Sequence, residues 1–270
     1  MNPETATPGR TAAQAPPVPE PSKLRLATTG LSTRTQIACA WSGLGLIVVV
    51  VAGFLLIAGF LPPRYSSDSA QQIAAYYADN TDRIRIGVVL GFVGWTPWAA
   101  LTAVIAVQLA RMQPYRPVLA VIQLVTGAAG FIFLTLSTII LLVATFRPER
   151  SPEITQALHD LGWFTLFITV PAFSTQALVI GIATLRNDPP VQVYPRWFGY
   201  VNIWVAILFV PALMMPFFKS GPFSWQGALV YWLAFIVFFI WILVMFYVIR
   251  RAALDEAAEE ARAATAAVPG

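Results

Sequence analysis

Residues 118–146 read VLAVIQLVTGAAGFIFLTLSTIILLVATF, without one Asp, Glu, Lys, Arg or His. A helix rises 1.5 Å per residue, so about 20 apolar residues cross the ~30 Å hydrocarbon layer of a bilayer. This stretch is long enough. Five more runs of the same kind surround it: Ile37–Leu61, Ile86–Ala110, Leu161–Leu185, Trp197–Phe218 and Phe223–Ile249, all without Asp, Glu, Lys, Arg or His. Lys219, Gly221 and Pro222 mark the turn between the last two. The composition agrees. Of 270 residues, 57% are hydrophobic and 11% charged, against about 25% charged in soluble domains, and mean hydropathy is +0.68. The expected fold is all-α, a polytopic membrane protein with six transmembrane helices.

Domain organisation follows from the same pattern. Residues 1–34 are rich in Pro, Ala and Thr and are expected to form a disordered cytoplasmic tail. They are not read as a signal peptide, because the first apolar run begins late and is too long. Residues 35–250 make the transmembrane domain, and 251–270 a cytoplasmic helical tail. With the N-terminus inside, eleven of the seventeen Lys and Arg fall on the inner side, among them Arg111, Arg116, Arg186, Arg196, Arg250 and Arg251. The positive-inside rule therefore favours both termini cytoplasmic.

Two outer connections carry helix signals. In Pro62–Arg85, Ser69 and Gln72 fit a capping box, and Ala70, Ile73, Ala74 and Tyr77 share a face. In Arg147–Asp160, Ser151 suits a cap and Pro152 the first helical position, and Ile154, Leu158 and Leu161 share a face. Both are expected as short amphipathic helices on the outer membrane surface. A weak internal repeat relates Phe60–Arg64 to Phe146–Arg150, and Gly94-Trp95 to Gly162-Trp163, with prolines following at Pro97 and Pro171. Two related hairpins would account for it, as would the common demands of any hairpin that returns through the membrane.

Scarce residues exclude chemistry. Cys39 is the one cysteine and His159 the one histidine. That rules out an intrachain disulfide, multi-His or multi-Cys metal centres and a bis-His haem. No cofactor and no metal is expected, although a carboxylate-only site stays open. The net charge of +4 reads as loop charge, with no basic domain for nucleic acid. Apolar runs without ionisable groups argue against an ion-coupled pump. No hydrolase elbow, phosphate loop or zinc motif is present.

The remaining candidates are polar groups inside the runs and charges outside them. Gln123, Gln176 and Asn202, with Trp95, Trp163 and Trp204, form the candidate ligand-binding set. Interhelical hydrogen bonding is the plainer role for the amides, and packing or an interfacial belt for the aromatics. Trp95, Trp98, Trp163 and Trp225 are expected near the outer boundary, with Trp204, Trp232, Phe235 and Trp241 deeper. Pro97, Pro171, Pro211 and Pro216 interrupt three helices, and kinks there would open a cavity toward the outer face. Gly87 with Gly91, and Gly127 with Gly130, suit close helix packing. Outside, His159, Asp160, Glu153 and Asp79 are the candidates for acid–base work, should the protein be an enzyme. Arg83, Arg85 and Arg150 are candidates for lipid phosphate or a protein partner. A solvated loop surface explains all of these equally.

At Ser69–Gly87 (SAQQIAAYYADNTDRIRIG), Phe146–Trp163 (FRPERSPEITQALHDLGW), Pro195–Ala206 (PRWFGYVNIWVA) and Phe217–Gly227 (FFKSGPFSWQG), the chain resembles a group of uncharacterised bacterial six-helix integral membrane proteins, mostly actinobacterial. The resemblance spans roughly residues 35–250. It implies a plasma-membrane location and a recurrent outer architecture, and carries over no catalytic residue. Three functions are expected in order. The first is a non-catalytic protein binding a lipid-like molecule or an envelope partner, with membrane lipids around it. The second is a membrane enzyme acting on an isoprenoid, sterol or other lipid, resembling terpene cyclases in size and aromatic content only. The third is an uncoupled transporter or pore.

Overall fold

The computed structural model describes residues 31–113, 117–186 and 192–266. The expected N-terminal tail, Arg116 and the last four residues fall outside them, the tail but for its last few positions. Six helical stretches are long and apolar enough to cross a membrane: Thr33–Ile57, Thr81–Met112, Val118–Phe146, Pro152–Leu185, Arg196–Phe217 and Ala228–Arg262. The protein is all-helical among the described residues. Each span packs on its neighbours in sequence, and the sixth returns to the first, closing a ring.

The first span is α1 (Thr33–Val50), capped by Ser32 and continued by a π-helical segment, Val51–Ile57. A short helix α2 (Ala70–Asp79) precedes the second span, α3 (Thr81–Trp95) and α4 (Pro97–Met112). The third span is α5 (Val118–Phe146) and the fourth is α6 (Pro152–Phe167) with α7 (Val170–Leu185). The fifth is α8 (Arg196–Phe209), tightening into a 3₁₀ segment Val210–Phe217. The sixth opens with a π turn, Ala228–Trp232, and runs on as α9 (Leu233–Ala266).

The interruptions have a common chemical cause. Proline has no N–H to give to the carbonyl four residues earlier. For Pro97 that carbonyl belongs to Val93, and Thr96 supplies both its backbone N–H (3.1 Å) and its Oγ1 (2.7 Å) instead. The chain breaks at Thr96 without exposing a bare acceptor to the bilayer. Pro171 breaks the fourth span between α6 and α7, and Pro211 lies where α8 tightens.

Close packing of α3 on the first span rests on glycine. A Cβ at Gly87 would lie 2.2 Å from the Ala58 backbone nitrogen, and one at Gly53 would lie 2.5 Å from the Leu90 Cβ. The Gly87 and Gly91 pair thus lets two backbones meet. Arginines then tie the helix ends together. Arg83 donates to the carbonyls of Ile57 (2.7 Å) and Leu56 (3.2 Å), and Arg85 to that of Thr145 (2.7 Å). Arg150 donates to the Val143 carbonyl at 3.3 Å. Each cation sits on the carbonyl-rich end of the first or third span, where both hydrogen bonding and the helix dipole favour it.

The two connecting helices depart from expectation. The capping box at the start of α2 is formed in both directions, Gln72 N to Ser69 Oγ at 3.3 Å and Ser69 N to Gln72 Oε1 at 2.8 Å. Its apolar face, Ile73 and Tyr77, is buried against α6. The second is no separate helix: Pro152 opens α6, which continues as the fourth span, and the Ser151 side chain makes no cap bond. Thr155, His159 and Gly162 are buried, whereas Ile154 and Leu161 are half exposed. In a bilayer an apolar stripe faces lipid as readily as core, so the more polar stripe turns inward.

Candidate binding site

The three proline interruptions lie at one level, and a cavity of about 50 Å³ opens there. Trp95 reaches it from the end of α3, Leu166, Phe167 and Val170 from the break in the fourth span, and Phe209 from the end of α8. Leu134, Phe173, Ala234, Phe235 and Phe238 complete the wall. The lining is almost wholly apolar. Its one polar handle is Trp95, which is 1% exposed and whose indole Nε1 has no hydrogen-bond partner. A buried tryptophan N–H ordinarily finds an acceptor. The cavity can therefore seat a short apolar segment.

One turn further along α7 the interior becomes polar. Phe173 on the cavity wall packs over Gly130, and Gln176 packs over Gly127. Trp98 donates its indole N–H to the Gly127 carbonyl at 2.9 Å, and Gln123 reaches the Thr102 carbonyl at 3.4 Å. Gln123 Oε1, Thr102 Oγ1 and both ends of the Gln176 amide are buried without partners. Asn202 is different. It gives an N–H to Phe198 O and accepts from Trp241 Nε1, both at 2.9 Å, so both ends of its amide are partnered.

The candidate residues thus divide. Gln123 and Gln176 come together between α4, α5 and α7, close to the cavity that Trp95 lines. Asn202 ties the fifth span to the sixth. Trp204 is 63% exposed on the outside of the ring, far from a pocket role. Trp163 is fully buried beside Phe54, Phe60 and Phe167, the last of which it stacks at 6.1 Å. The tryptophans expected as a boundary belt, Trp95, Trp98, Trp163 and Trp225, are all core residues. Of those expected deeper, Trp204 and Trp232 are exposed on the ring's outer face, whereas Trp241 is buried in the core. Which face of a helix a ring takes depends on its neighbours in other spans, which position along one span does not encode.

The charged candidates do not converge. His159 is fully buried, its Nδ1 2.9 Å from the Tyr77 hydroxyl, with Trp163 and Trp225 edge-on around it. Burial, with Tyr76 and Asp160 nearby, pushes the Tyr77 phenol above its ordinary range. Asp79 and Glu153 are exposed and Asp160 is half-buried. Among the described residues none of the three bonds to His159, and no group of three His, Cys, Asp or Glu forms a metal-holding cluster. The arginines Arg83, Arg85 and Arg150 are engaged with helix-end carbonyls, as described above.

A second polar centre, absent from the sequence-derived set, lies at the opposite end of the ring. Gln108 accepts from Tyr194 (2.7 Å) and donates to Gln36 (2.8 Å), and Gln36 donates to Glu256 Oε2 at 2.8 Å. Arg111 stands 3.0 Å from the same oxygen, an ion pair without hydrogen-bond alignment. Gln36 and Gln108 lie at positions where only partners far away in sequence reveal the network. No protein-family model, curated protein or solved structure matches this chain.

Proposed function

We propose that this protein is a multi-pass protein of the bacterial plasma membrane that holds a lipid-like hydrophobic molecule without transforming it. Both termini lie in the cytoplasm in this reading, supported by the excess of Lys and Arg on that side. One observation carries it: an apolar cavity at the meeting level of three proline-interrupted spans, with an unpartnered indole N–H on its wall. Binding pockets of this kind are mostly apolar, with few polar groups to orient the occupant. The absence of converging acid–base groups among the described residues favours holding over turnover.

The test is native mass spectrometry with lipid extraction on gently purified protein. Wild type is expected to carry a stoichiometric lipid or isoprenoid, and Ala234→Phe, which fills the cavity, to lose it. A bare wild-type mass, or equal retention by Ala234→Phe, removes the cavity reading. Co-purification of an envelope protein instead would move attention to the end that carries α2.

A further inference from the structure

We infer that the Arg111–Glu256 centre binds a primary ammonium group at the membrane surface. Arg111 ends the second span and Val193 precedes the fifth. Ala252, Asp255, Glu256 and Glu259 lie within two or three turns of Ile249, the last residue of the charge-free run. With Gln192 they wall a cavity of about 20 Å³ just beyond the charge-free run. A space of that size holds one small polar group.

Glu256 is the observation that points to a ligand. It is 4% exposed. Gln36 and Arg111 both address its Oε2, and Oε1 is buried with no partner. A buried carboxylate oxygen without a donor is costly. Charge decides which donor suits. Arg111 offsets Glu256, and Arg251, at 3.7 Å, offsets Asp255. Glu259 stands on the same wall with no ion pair among the described residues. The wall is therefore net negative and favours a cationic donor. An ammonium presents three N–H groups in a compact head, which matches one orphaned oxygen flanked by further carboxylates. The absence of a metal-holding cluster among the described residues points the same way.

Two sources supply this chemistry: the headgroup of an aminophospholipid, or a soluble amine. Thermal unfolding of the full chain in nanodiscs separates them. One arm compares phosphatidylethanolamine with phosphatidylcholine, which carries three methyl groups on its nitrogen. The other adds methylammonium chloride to phosphatidylcholine discs against equal tetramethylammonium chloride. The site predicts a higher Tm in the first arm for a lipid source, or a saturable rise in the second for a soluble one. Either gain is expected to vanish in Glu259→Gln, whose exposed side chain leaves the fold intact, and in Glu256→Gln. Equal Tm in both arms, or a gain unchanged by Glu259→Gln, overturns the assignment. Since the readout is independent of the apolar cavity, loss of lipid from Ala234→Phe leaves this test unaffected.

Discussion

Gln36 and Gln176 are both buried amides, and their environments give them opposite energetic roles. Gln36 links Gln108 to Glu256. Gln36→Leu removes one hydrogen bond from each, leaving Gln108 on the Ile249 carbonyl and Glu256 on Arg111, and is expected to lower stability by roughly 1–3 kcal/mol. Gln176 has no partner at either end of its amide. Gln176→Leu removes two unmet polar groups at similar volume, and is expected to leave Tm unchanged or raise it. Denaturation of both variants in one detergent checks the contrast, and a Tm lowered in both would mean that Gln176 is engaged by a bound molecule. Titration is a second property at this scale. Burial raises the Tyr77 phenol, and raises that of Tyr194 against the opposing Arg111 charge. A phenol raised on folding contributes stability that is complete below its unfolded value, about 10, and is lost above it. Tm is therefore expected to hold from neutral pH to about 9 and to fall above about 10, less steeply in Tyr194→Phe. The chain shows which residue types are present at depth, and Gln123, Gln176 and Asn202 stand out for that reason. Which of them is satisfied depends on partners in other spans, such as Trp241 for Asn202, and no local pattern encodes that.

Each helix was legible where hydrophobicity alone sets its length, and least legible where direction matters. The run Val118–Phe146 matches α5 end to end. The fourth span does not, because the helix that Pro152 starts, expected as a separate surface helix, runs on into the apolar stretch as one span. The inward face of α6 is its more polar one, Thr155, His159 and Gly162, because in a bilayer an apolar stripe meets lipid as readily as core. Glycine contacts give a test of packing at this scale. Gly87→Ala drives a Cβ into the Ala58 backbone, whereas Gly45 has nothing within 4 Å of its Cβ position. Overpacking of this kind costs about 1–3 kcal/mol or more. Gly87→Ala is expected to lower Tm by several degrees, and Gly45→Ala to leave it unchanged or raise it slightly through helix propensity. Equal effects would mean that α3 and the first span do not meet as closely as their glycines allow.

For the molecule as a whole, six spans close a ring, and the two ends of that ring are held differently. At the α2 end, arginines bind backbone carbonyls. At the opposite end, a buried ion pair and three amide or phenol groups join the first, second and sixth spans to the fifth-span entry. Removing one partner of a buried pair is expected to cost about 3–5 kcal/mol. Glu256→Ala is therefore expected to lower Tm more than Arg251→Ala, whose 3.7 Å pair with Asp255 is exposed. Scanning calorimetry of the two variants checks the order.

The sixth span also has a mechanical consequence. Leu233–Ala266 is one helix without glycine or proline. At 1.5 Å per residue, the part beyond Ile249 projects roughly 25 Å from the last charge-free turn. It has no hinge, so it behaves as a lever arm with Glu256 as its fulcrum. A small tilt about Glu256 reaches Thr265 in the opposite direction and about half as far as at Phe235 and Phe238, and a reporter fixed there reads movements whose origin lies at the cavity wall.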